Sequence, residues 1–123
     1  MKLSQMGNIY GPYRGIVDLA HDGDTVNVRL DVGFDLTVYA RCRILGINAP
    51  ELSTDAGKTA QDFAQTVLPS GTLVHVISHG WDKYGGRIDA EIQLDTAYVY
   101  DGVPYTDFAK LMLASGNAVV YTG

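Results

Sequence analysis

The sequence predicts a mainly β fold with two helices, of the α+β class. Three observations carry that expectation. Apolar and polar residues alternate with a period of two over most of the chain. Two stretches repeat instead at helical spacing, each with capping and stopping residues. With 123 residues, 46% of them hydrophobic and 19% charged, residues 1–123 make a single domain that buries a core without disulfide staples.

Taken in order, Tyr13 to Ala20 is the first strand, centred on Ile16 and Val17. His21-Asp22-Gly23-Asp24 turns the chain. Thr25 to Val32 is the second strand, with Val26, Val28, Leu30 and Val32 on one face and Thr25, Asn27, Arg29 and Asp31 on the other. Gly33-Phe34-Asp35 is a turn with Gly33 at a positive φ. Leu36 to Leu45 alternates again, with Leu36, Val38, Ala40, Cys42 and Ile44 on one face and Thr37, Tyr39, Arg41 and Arg43 on the other, so these three strands form a meander. A helix fits Asp55 to Leu68. Thr54 or Asp55 caps it, Pro69 stops it, and Ala60, Phe63, Ala64 and Val67 share a face. The fourth strand is Thr72 to Ser78, Gly80 to Gly86 is a loop, and Arg87 to Leu94 is the fifth strand. Asp101-Gly102 is a turn. Thr106 caps a second helix over Asp107 to Ser115, with Gly116 at its C-terminal cap. Asn117 to Thr122 is a short extension. Five main strands with a helix between the third and fourth follow the order of an OB-fold, a five-stranded Greek-key barrel.

Composition limits function. Nine Lys and Arg against 14 Asp and Glu give a net charge of −5, the wrong sign for holding polyanions by bulk charge. A nucleic-acid role must rest on a local positive site or a bound cation. The one cysteine, Cys42, excludes an intrachain disulfide and a multi-cysteine zinc site. It alternates with the apolar face and reads as core. The histidines show no zinc-binding spacing. Residues 1–7 lack the apolar core of a secretory signal, and no apolar run approaches the ~18 residues of a membrane span. The expectation is a cytoplasmic monomer with no membrane partner.

Three clusters carry chemistry. Alone, Asp22-Gly23-Asp24 reads as a tight turn, yet two carboxylates at a strand start also suit a hard cation. Arg43 leads into Asn48, Pro50 and Glu51, and Glu51 is one of only two glutamates. As an acid just past a strand, Glu51 is a candidate general base on a water. In Trp81-Asp82-Lys83-Tyr84-Gly85-Gly86-Arg87, the planar fork of Arg87 suits a phosphate, and Tyr84 offers a stacking face. Two arginines, one glutamate and a carboxylate–amide cation site suit phosphodiester hydrolysis, where charge builds on phosphoryl oxygens. No residue reads as a covalent nucleophile.

These blocks resemble the staphylococcal nuclease (thermonuclease) family. Asp22-Gly23-Asp24-Thr25-Val26, Arg43-Ile44-Leu45-Gly46-Ile47-Asn48-Ala49-Pro50-Glu51 and Asp82-Lys83-Tyr84-Gly85-Gly86-Arg87 match in order and spacing, with a weaker block over Asp107 to Ala118. The resemblance covers about residues 13–121. It implies an OB-barrel nuclease that hydrolyses DNA and RNA with Ca²⁺ and leaves 3′-phosphate ends; Mg²⁺ or Mn²⁺ are other candidate ions. It implies that Asp24, Asn48 and the Ala49 carbonyl hold the ion, with Asp22 behind them. Arg43 and Arg87 would bind phosphate, Glu51 would act as general base, and Lys83 and Tyr84 would contact substrate.

The chain departs from the family at three points. Asn48 puts a neutral amide where the family has a second carboxylate, which weakens cation affinity. Gly85-Gly86 adds a residue before Arg87, which a bulge can absorb. The loop after Glu51 is short and not basic, and the family's last helix has no counterpart. Two other classes stay open. One is a barrel that binds single strands without cutting them. The other is a scaffold for protein contacts.

Overall fold

The structure, a computed structural model, describes residue 7 and residues 9–122. Its elements are β1 (Tyr10–Ala20), β2 (Thr25–Asp31), β3 (Thr37–Ile44), β4 (Ile47–Asn48), α1 (Asp55–Val67), β5 (Leu73–Trp81), β6 (Ile88–Tyr100), β7 (Val103–Asp107), α2 (Phe108–Ala114) and β8 (Val119–Val120). The main sheet runs β3-β2-β1-β5-β6-β7 and closes through a β3–β6 pairing. The closure is parallel, with Cys42, Arg43 and Ile44 opposite Ile88, Asp89 and Ala90. The neighbouring pairs β1–β2, β2–β3, β1–β5 and β5–β6 are antiparallel. The result is a closed five-stranded barrel of β1, β2, β3, β5 and β6, with the strand order of an OB-fold.

Alternation decides what fills the barrel. Val26, Val28 and Leu30 of β2, Ala40, Cys42 and Ile44 of β3, Val74 and Val76 of β5, and Ala90, Ile92 and Leu94 of β6 are all buried. Each set repeats every second residue, so each strand turns one face inward. Burial pushes the Cys42 thiol up to about 12, as expected for a core cysteine. A register shift between Val17 and Leu19 bends β1, which pairs with β2 through its second half and with β5 through its first. Bulges of this kind give a small barrel its curvature.

The helices plug the barrel with the faces the sequence marks. Ala60, Ala64 and Val67 of α1 and Phe108, Leu111 and Met112 of α2 are buried. Thr54, not Asp55, caps α1: its hydroxyl accepts from the Gly57 N–H at 3.0 Å. The α2 cap differs from expectation. Thr106 still belongs to β7, and Asp107 caps instead, its carboxylate accepting from the Lys110 N–H at 3.2 Å. At the other end the Gly116 N–H donates to Leu113 O and the Asn117 N–H to Met112 O, as a left-handed cap glycine allows.

Two further features were not expected. β6 continues past Leu94 to Tyr100 and folds back through Asp101-Gly102 into β7, an extra strand on the sheet. Tyr98 and Tyr100 stand edge-on to Phe63 of α1, with centroids 6.0 and 5.9 Å away, so these tyrosines form the rim of the core. β5 runs past Ser78 to Trp81, so His79 lies within it, with Nε2 2.7 Å from Glu91 Oε2.

Candidate active site

One open cleft of about 760 Å³ lies where β1 turns into β2, β3 ends, and the β5–β6 hairpin turns. Asp22, Asp24, Arg43, Asn48, Ala49 and Glu51 line it. So do Lys83, Tyr84 and Arg87 from the hairpin. Every side chain the sequence singles out for chemistry therefore borders the same space.

The Asp22-Gly23-Asp24 turn is tied down by its own groups. The Asp24 N–H donates to Asp22 Oδ1 at 3.0 Å, and the His21 N–H donates to Thr25 O at 2.9 Å. Asp24 itself is nearly buried, at 8% exposure. Its Oδ1 accepts from the Thr25 hydroxyl at 3.2 Å and its Oδ2 from the Ala49 N–H at 2.8 Å. Burial raises the Asp24 carboxyl above its ordinary value; the Ala49 N–H opposes this and the neighbouring Asp22 adds to it.

Arg43 leaves β3 opposite Thr25 and Asp89 and folds back over the strand end. Its Nη1 donates to Ile44 O at 2.8 Å and to Ile47 O at 2.9 Å. Its Nη2 lies 3.4 Å from Asn48 Oδ1 and 3.8 Å from Asp24 Oδ2. Two carbonyls thus consume Nη1, and the edge formed by Nε and Nη2 is the fork left for an anion.

Glu51 is exposed, but its backbone is clamped. Glu51 O accepts from the Thr54 N–H at 3.0 Å and from the Thr54 hydroxyl at 2.6 Å. The first turn of α1 rests on that same carbonyl. A Cβ at Gly57 would collide with Glu51 O and C and lie 2.9 Å from Leu52 Cα. Glycine at 57 is the condition for α1 to approach the Glu51 loop this closely.

The Gly85-Gly86 pair forms a tight turn that leads into Arg87. Both glycines are left-handed, with φ of 73° and 77°. The turn closes through the Asp82 N–H to Arg87 O at 2.8 Å and the Gly85 N–H to Asp82 O at 3.0 Å. The Asp82 carboxylate, only 7% exposed, accepts from Arg87 Nε at 2.9 Å and from the Tyr84 N–H at 3.2 Å. This fixes Arg87 on the cleft side. Lys83 Nζ stands 5.3 Å from the centroid of the Tyr84 ring.

Sequence reasoning missed three contributors. Asp82 is the buried partner of Arg87; an acid facing an arginine across a Gly-Gly turn was the available signal. Asp89 lines the cleft from β6, and alternation against the buried Ala90 points it outward. Tyr121 lines the cleft from beyond β8, and nothing local in the sequence predicts that.

The cleft holds five carboxylates, those of Asp22, Asp24, Glu51, Asp82 and Asp89. Against them stand the cations Arg43, Lys83 and Arg87. The excess of two negative charges equals the charge of one divalent cation. Of the groups the sequence suggests for an ion, the Asp24 carboxylate accepts from the Thr25 hydroxyl and the Ala49 N–H, and the Asn48 amide oxygen lies 3.4 Å from Arg43 Nη2. Among the described residues no three His, Cys, Asp or Glu side chains gather as a metal cluster. A hard cation at this end of the cleft would have one carboxylate, neutral oxygens and water as its ligands. No protein-family model matches this chain, and no curated protein matches it. No helix among the described residues is long and apolar enough to cross a membrane.

Proposed function

We propose that the protein is a metal-dependent phosphodiesterase of the thermonuclease type, hydrolysing DNA and RNA. The observation that carries this reading is the convergence of Arg43, Arg87, Glu51 and Asp24 on one cleft. Glu51 takes the proton of a water as its oxygen attacks phosphorus. The Nε–Nη2 edge of Arg43 and the guanidinium of Arg87 meet the phosphoryl oxygens, where charge develops. The bond from phosphorus to the 5′ oxygen breaks, and that oxygen takes a proton from water, leaving a 3′-phosphate and a 5′-hydroxyl; Glu51 then returns its proton to solvent. Asp24, Asn48 and the Ala49 carbonyl would hold a divalent cation, which would supply positive charge to offset the carboxylate excess beside the phosphate. Lys83 and Tyr84 border the path of the flanking nucleotides.

The test is cleavage of plasmid, single-stranded DNA and RNA with Ca²⁺, Mg²⁺, Mn²⁺ or EDTA, beside Glu51→Gln. The expected result is ion-dependent cleavage that falls by about 10²- to 10⁴-fold in the variant, with folding intact because the side chain is exposed. Equal cleavage by the variant would remove Glu51 as the base. The amide at position 48 favours a second reading, a barrel that binds single strands without cutting. Binding in EDTA with no cleavage in any ion would select it.

A further inference from the structure

We infer that Tyr121 is the positioning residue for the Arg43 guanidinium, and that β8 delivers it. This rests on the reading of the cleft as a phosphodiester site. The Arg43 Cζ stands 5.6 Å from the centroid of the Tyr121 ring, within cation–π range. The Tyr121 N–H donates to Gly46 O at 2.9 Å. Just before it, Val120 pairs with Ile47 and Val119 with Asn48. The segment that β8 holds is thus the one whose Ile47 carbonyl receives Arg43 Nη1.

β8 does little for the core. Val119 and Val120 are 65% and 69% exposed. The side chains this segment sends to the cleft are those of Tyr121 and Thr122. The two Nη1 hydrogen bonds and the longer 3.4 Å Nη2 contact to Asn48 anchor one end of the guanidinium, and its Nε end can still rock about them. A ring against the guanidinium resists that rocking. The Nε–Nη2 edge then meets a phosphate already oriented, so less order must be created on binding. The contact is made to the ring, so Tyr121→Phe should keep it.

The experiment compares wild type, Tyr121→Leu and Tyr121→Phe with Ca²⁺ or Mg²⁺ present, and with inorganic phosphate as the probe. Proton–nitrogen spectra follow the Arg43 Nε–H, and Tm is recorded for each. The expected result is a ring-current shift of the Arg43 Nε–H in wild type and Tyr121→Phe that disappears in Tyr121→Leu. Phosphate affinity falls roughly tenfold in Tyr121→Leu and is kept in Tyr121→Phe. Equal affinity in the Leu and Phe variants, or no ring-current difference between them, would overturn the positioning role. A ring-current difference with no response of Arg43 to phosphate in any variant would instead overturn the phosphodiester reading beneath it. An affinity that tracks Tm alone, with Phe as weak as Leu, would reduce Tyr121 to a packing residue and overturn the inference.

Discussion

Replacing Gly57 by alanine sets two physical effects against each other. In a helix the substitution ordinarily stabilises by about 1 kcal/mol, because glycine loses more backbone entropy on folding. Here the new methyl would lie inside the contact radius of Glu51 O and C, and 2.9 Å from Leu52 Cα. These are backbone atoms, so no flexible side chain can swing away. Overpacking of this kind costs about 1–3 kcal/mol. The net expectation is a loss of up to about 2 kcal/mol, a fall in Tm of up to about 8 °C for a chain of this size. The atoms that must move are Glu51's own, and a misplacement of about 1 Å can cost about 100-fold in rate. Calorimetry together with cleavage of a labelled oligonucleotide reads both effects. A Gly57→Ala protein that melts about 4 °C higher and cuts at the wild-type rate would refute the clamp. A protein that melts lower yet cuts normally would refute the need to hold Glu51 where it is.

Asp24→Asn should raise stability at pH 7 in EDTA while abolishing metal-dependent cleavage. The amide can keep both contacts, accepting from the Ala49 N–H and donating to the Thr25 hydroxyl, which can accept as well as donate. The native carboxyl of Asp24 is raised, so the folded state binds its proton more tightly than the unfolded chain does. Its contribution to stability is present below about pH 3.9 and is lost as pH rises through the raised value. The Tm gain of the variant should therefore shrink towards zero in acid; a variant less stable at pH 7 would count against the buried charge. Cys42, buried with its thiol pushed up to about 12, should resist alkylation at pH 8 in the folded protein and react at once in urea. Mass spectrometry reads this directly, and fast labelling of the native state would mean the barrel opens at β3.

Alternation and helical spacing made the barrel legible. Val26, Val28 and Leu30, then Cys42 and Ile44, then Ala90 and Ile92 name their inward faces by period alone. Ala60, Ala64 and Val67 name the face of α1. The cleft residues were legible only in part from local chemistry, which offers Arg43, Glu51 and Arg87 as candidates; alone Asp22-Gly23-Asp24 reads as a turn, and the resemblance named Asn48, Ala49 and Lys83. The boundaries that failed did so for tertiary reasons. Thr106 is a good capping residue, but β7 pairs with β6 through Asp107 and delays the helix by one position. The hairpin beyond Leu94 packs Tyr98 and Tyr100 against Phe63 of a distant helix, a contact no local pattern announces.

What the sequence alone determined is the set of elements, the inward faces, and the residue types able to do phosphate chemistry. Those depend on neighbours a few positions away, and periodicity and turn preferences record them. What the tertiary structure decided is how those residues are held. Asp82 grips Arg87 across a turn, Gly57 admits the Glu51 backbone, and β8 carries Tyr121 to Arg43. Each joins atoms through space according to the closure of the barrel and the packing of its helices. A contact set by the summed geometry of several elements leaves no periodic trace in any one of them.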